Sequence, residues 1–290
     1  GYIENAARQL GAEPEALLQR LTGYYDGYCF EKTATVRVMN PWSVMSFLIY
    51  PTRGFRDHWF QTGGQPSVLK DLFRSGALKD PKNFAAVKTI PFSQLGGPAI
   101  GENFSEVDLL TQTGYLTFKS VDGNIAIVDY STEEVRHAMA GMYLHQLVGK
   151  TIEQAGVMDF AIRLVKDNPE TLVRIFNRLL ESVDYEAYSI EDAKSVLAVI
   201  QIAMINVRLS PVIKVIAKGE SVLEVQAGER TIVLTLEYCH PDQEAEQLLQ
   251  VAVSQLDKPF SGKLGGRMEI LKLVLVFSES DRRITVWSVA

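Results

Sequence analysis

The chain is 290 residues long, with 47% hydrophobic and 22% charged residues and a formal net charge of -6. That length suits two domains, and the composition is ordinary for a globular protein. No apolar run nears the roughly 18 residues that a membrane-spanning helix needs, which argues against a membrane partner. The acidic balance weighs against a dedicated nucleic-acid binder, which neutralises phosphates with a basic surface.

The two cysteines, Cys29 and Cys239, stand far apart. They exclude a disulfide scaffold and point to a reducing cytoplasm. No C-x-x-C or H-x-x-x-H spacing occurs, so a structural zinc site is not expected. The opening GYIENAARQL lacks a basic region followed by an apolar stretch, so it reads as no signal peptide. It also lacks an initiator Met, and the chain is expected to be a fragment of a longer protein.

In chain order, residues 2 to 22 read as helix, with Pro14 near a helix start. A Gly- and aromatic-rich segment follows, with a short hairpin expected around Val36 to Val38. Asn40 and Pro41 then open a helix, as cap and first-turn residue. A further turn and helix should end near Gly76, and residues 77 to 103 read as loop. A helix from Glu106 to Thr113 stops at Gly114, a hairpin turns at Asp122-Gly123, and a second helix starts at Ser131 or Thr132 with Glu134 placed for a capping box. Helix, two-stranded wing and helix make a winged-helix-like arrangement.

Residues 151 to 208 read as helical. From 210 the pattern becomes three strands, a helix from about Asp242 to Asp257, then two more strands. The expected class is α/β, or α+β for the whole chain, with domains 1–150 and 151–290. Two phosphate-loop look-alikes fail on inspection. VGKT at 148–151 has Leu144 where the loop needs Gly and follows a helix rather than a strand, and KLGGRM at 263–268 is a turn before a strand.

The blocks YYDGYCF, VMNPWSV, HWFQTGGQPSVL, LLTQTGYLTFK and STEEVR are too unusual to be generic. Together and in order they resemble the bacterial AAA-ATPase-like proteins abundant in Bacteroidetes, and the resemblance covers residues 15 to 145. It singles out Tyr25, Asp26, Gly27, Tyr28, Asn40, Pro41, Trp42, Gly114 and Tyr115, read here as structural, with Asp26 able to orient the turn. In that family these blocks follow the ATPase core. The P-loop and acidic Walker B strand are absent here, so the resemblance implies no ATPase activity for this chain. A regulatory half of an ATPase is one reading that it leaves open.

The same family usually continues into a PD-(D/E)xK nuclease-like domain with a mixed central sheet, and residues 165 to 290 resemble it in order of elements. The resemblance puts Glu224 where the metal-binding Asp stands, Glu237 at the Glu of E-x-K, Cys239 at the Lys, and Gln250 near the helix Gln. Such nucleases hold Mg or Mn between carboxylates of adjacent strands and activate a water with the Lys. A neutral thiol, with a reference pKa of about 8.5, cannot replace that cation. Lys214 and Val215 also stand where the family often has an acidic residue.

The expectation is therefore a catalytically degenerate module that binds a nucleic acid or a protein partner. The alternative is an active divalent-metal nuclease using Glu224 and Glu237, with His240 as a conceivable substitute for the missing Lys. The second helix of the wing carries only Arg136 and two His as cationic groups, so it reads as a packing element rather than a recognition helix.

Overall fold

The computed structural model describes residues 1–31, 33–61, 69, 80–92, 106–148, 157, 159–215, 221–256 and 269–290. The fold is mixed α+β, in two compact units: Gly1–Ala77 with Ala86–Met139, and Leu78–Ala85 with Ala140–Ala290.

In the first unit, the stretch expected as helix over 2 to 22 is two helices, α1 (Tyr2–Leu10) and α2 (Pro14–Tyr25). The break falls at Gly11, and Pro14 takes the first turn of α2, where its missing N–H costs nothing. Leu17, Leu21 and Tyr25 recur at helical spacing and pack with Ala6, Ala7 and Phe47. β1 (Asp26–Tyr28) pairs antiparallel with β2 (Val38–Met39), so the strand expected near Val38 finds its partner ten residues or more earlier in the chain. Asn40 caps α3 (Pro41–Ile49), accepting from Trp42 N at 3.0 Å and Ser43 N at 3.4 Å.

After α4 (His58–Gln61), the helix expected toward Gly76 lies outside the described residues. α5 (Lys82–Ala85) belongs to the second unit. β3 (Lys88–Pro91) is a strand where loop was expected: four residues with one buried side chain, Ile90, give too little pattern to read. α6 (Glu106–Gln112) leads through Gly114 to β4 (Leu116–Asp122) and β5 (Ile125–Tyr130). Asp122 pairs with Ile125, so the turn is Gly123-Asn124, one residue later than read. β3 adds to the far side of β5, giving the order β3-β5-β4. α7 (Glu133–Leu147) follows, and the division between units falls inside it. Its cap is Thr132, whose Oγ1 accepts from Val135 N at 3.2 Å, so Glu134 is not the capping-box partner.

The second unit builds on α8 (Phe160–Lys166), α9 (Pro169–Leu180) and α10 (Ala193–Asn206). Residues 195 to 205 of α10 are all buried, as an apolar-all-round sequence requires. The sheet then runs β6 (Val212–Val215), β7 (Ser221–Ala227), β8 (Arg230–Cys239), β9 (Glu269–Ser278) and β10 (Arg283–Val289), hydrogen-bonded in sequence order. All pairs are antiparallel except β8 with β9. That parallel pair needs a crossover, which contains α11 (Ala245–Leu256). Residues 231 to 236 of β8 are all buried, which marks a central strand covered on both faces. Of the two phosphate-loop look-alikes, Gly149 to Thr151 and residues 263–268 lie outside the described residues.

Candidate functional site

β7 and β8 form the hairpin that carries the two carboxylates. Ala227 pairs with Arg230 across its turn, so Glu224 pairs with Val233. Glu237 lies four positions beyond Val233 (237 − 233) on β8, about 13 Å along the strand at roughly 3.3 Å per residue. Paired residues share a face and every second residue returns to it, so both carboxylates leave the same face, but at different heights. The gap-free spacing that aligned them in sequence takes no account of where the hairpin turns.

Glu224 is engaged in an ion pair. Its Oε2 accepts from Lys214 Nζ on β6 at 2.6 Å, in a pair whose Glu side is 26% exposed. Glu237 is half-buried, beside Val276 of β9. Two carboxylates sharing a Mg or Mn ion must each bring an oxygen to about 2.0–2.6 Å from it. Carboxylates set at different heights, one of them bound to a lysine, do not fit that ion. Among the described residues, no group of three His, Cys, Asp or Glu could hold a metal.

Cys239 closes β8 and is buried. Its Sγ donates to Gln243 O at 3.5 Å, and burial, then the carboxylates of Asp242 and Asp281, push the thiol up from its ordinary value. A thiol held protonated supplies neither a charge nor a nucleophile. Because β8 extends to Cys239, Glu237 and Cys239 share a face and His240 does not follow them. Its Nδ1 lies 2.9 Å from Glu279 Oε2, at the start of the β9–β10 turn. Gln250 is exposed on α11.

In the first unit, several described residues of the quoted blocks meet in a buried cluster. Tyr25 is fully buried, and its hydroxyl donates to Arg56 O at 3.1 Å and accepts from Arg56 N at 3.2 Å. Asp26 opens β1 opposite Met39. Gly27 has φ 141, and a Cβ there would collide with the carbonyl oxygen of Ser131. Ser131 Oγ donates to Gly114 O at 2.9 Å, and Gly114 has φ 82 beside the rings of Tyr28 and Trp59. Tyr28 stacks on Phe30, and burial pushes its phenol up. Tyr115 is buried edge-on to Trp59, with ring centroids 4.7 Å apart. Asn40 and Pro41 start α3, and Trp42 remains exposed.

Glu134, read from the sequence only as a capping-box residue, has a different place. It is fully buried, and its carboxylate accepts from Ser43 Oγ at 2.7 and 2.9 Å and from Trp59 N at 2.9 Å. Burial pushes it up to about 7 against the opposing pull of those donors. A Glu in the first turn of a helix usually faces solvent and the helix dipole. The usable signal was its place in STEEVR, a block shared in the resemblance yet one residue off the capping-box position. Arg136 is engaged locally, with Asp129 at 2.8 Å and Glu133 at 3.2 Å, and His137 is buried against the Tyr24 hydroxyl at 3.1 Å. Arg136 is thus held in ion pairs and His137 in a buried contact.

Comparison with family models, with curated proteins and with solved structures gives no match to this chain.

Proposed function

We propose that the second unit is a PD-(D/E)xK-like module that has lost cleavage and works as a binding module, within the C-terminal part of an AAA-ATPase-like protein. The order of elements supports the likeness: a long helix, three antiparallel strands, a crossover helix and two last strands. The wing β4–β5 between α6 and α7 supports a winged-helix-like first unit that packs rather than reads DNA. One observation carries the loss of catalysis: Glu224 sits opposite Val233, four positions from Glu237, and is bound by Lys214.

The test is a Mn titration of the chain, followed by calorimetry and by the ion's paramagnetic resonance. No saturable site sensitive to Glu237→Ala is expected. A single site lost in both Glu224→Ala and Glu237→Ala would restore the nuclease reading.

A further inference from the structure

In the second unit, a groove of about 890 Å³ runs beside β10, within the size range of peptide and small-ligand sites. β10 ends the sheet order, so among the described residues no strand pairs with its outer edge. At one point a side chain takes the place of a strand: Asn177 of α9 accepts from Ile284 N at 2.7 Å and donates to Ile284 O at 2.9 Å. Further along, Ala290 N donates to Lys272 O at 3.1 Å. In the alternation of an antiparallel pair, that bond turns Ser288 toward β9 and leaves the N–H and C=O of Trp287 on the open edge. Between them, at the register shift, Thr285 has a buried hydroxyl with no partner among the described residues.

The walls are charged. Arg163 is held between Asp159 and Asp167, Arg174 by Glu170, and Arg283 by Glu181 at 3.8 Å. Arg178, one turn beyond Arg174 on the same face of α9, is exposed and makes no ion pair among the described residues. An open strand edge supplies backbone hydrogen bonds to a chain laid along it, and adjacent side chains set the specificity.

We propose that this groove docks an extended peptide segment of a partner protein by strand addition to β10 beyond Ile284, with a partner carboxylate at Arg178 and an apolar side chain against Trp287. Asp159, Glu170 and Glu181 line the same groove and repel a phosphate chain. A peptide, unlike a nucleic acid, matches mixed charges residue by residue and uses the backbone edge. The proposal does not depend on whether Glu224 and Glu237 are catalytic, since neither lines the groove.

The test selects short random peptides displayed on phage against the full chain and against its Arg178→Glu variant, with circular dichroism to check that both are folded. The expected winners carry Asp or Glu flanked by apolar residues. Synthesised, they bind the chain at least about tenfold more tightly than the variant, and methylating alternate backbone nitrogens abolishes binding in one phase only. Peptides that bind both proteins equally, or that tolerate methylation in either phase, overturn the proposal. So does a failure to enrich any peptide while single-stranded oligothymidine binds in an Arg178-dependent way, which gives the groove to nucleic acid.

Discussion

Ser43 Oγ lies 2.7 Å from one carboxylate oxygen of Glu134 and 2.9 Å from the other, across 91 residues of sequence. The bond joins the first turn of α3 to the first turn of α7, and Trp59 N brings α4 to the same carboxylate. NPWS, HW and STEE are thus three parts of one buried hydrogen-bonded junction.

Glu134→Ala leaves the Ser43 hydroxyl and the Trp59 N–H buried without their acceptor. The expected loss is about 2–4 kcal/mol of unfolding free energy. Urea denaturation of the variant, read at an unchanged slope, measures it.

The same carboxylate makes stability depend on pH. Its folded value of about 7 stands above the ordinary 4.5, so the folded state holds a proton that the unfolded chain has released between those limits. The contribution is full below about 4.5 and is lost as pH rises through 7, at most roughly 3 kcal/mol. Urea midpoints at pH 5 and pH 8 should therefore differ more in the wild type than in Glu134→Gln. Equal differences in the two proteins contradict this assignment.

Gly27→Ala forces a Cβ against Ser131 O at a φ that side chains rarely adopt. The variant is expected to lose about 2 kcal/mol or more, visible as a drop of several degrees in melting temperature. An unchanged melting point would show that β1 and the start of α7 do not meet as described.

Cys239→Lys supplies the lysine that the proposed nuclease likeness calls for, without moving Glu224 toward Glu237. The position is 6% exposed, with its thiol among backbone carbonyls. An ammonium there is desolvated and is expected to destabilise by several kcal/mol. No cleavage is gained, because Glu224 remains opposite Val233. Recovered activity in this variant would mean that the loss lay in the lysine alone.

Much of the architecture was readable in the sequence because its elements carry strong periodic or capping signals. Asn40-Pro41 marks a helix start, and from residue 210 the expected order of three strands, a helix and two strands is the order observed. β3 was not readable, since a third strand of four residues gains its stability from β5 rather than from its own pattern. The candidate site was legible as residue types and not as geometry. Spacing in sequence gave thirteen positions from Glu224 to Glu237 (237 − 224), but the turn at Ala227–Arg230 decides which residues face each other, and it sets Glu224 against Val233. Glu134 was hidden for a related reason: a helix-start Glu looks the same whether it faces solvent or the interior.

The most direct measurement is cleavage of plasmid and single-stranded DNA in Mg or Mn by the chain and by Glu237→Ala, with circular dichroism to show that both are folded. Neither protein is expected to cleave. Cleavage by the chain that disappears in Glu237→Ala would overturn the loss of catalysis and make Glu237 a working metal ligand.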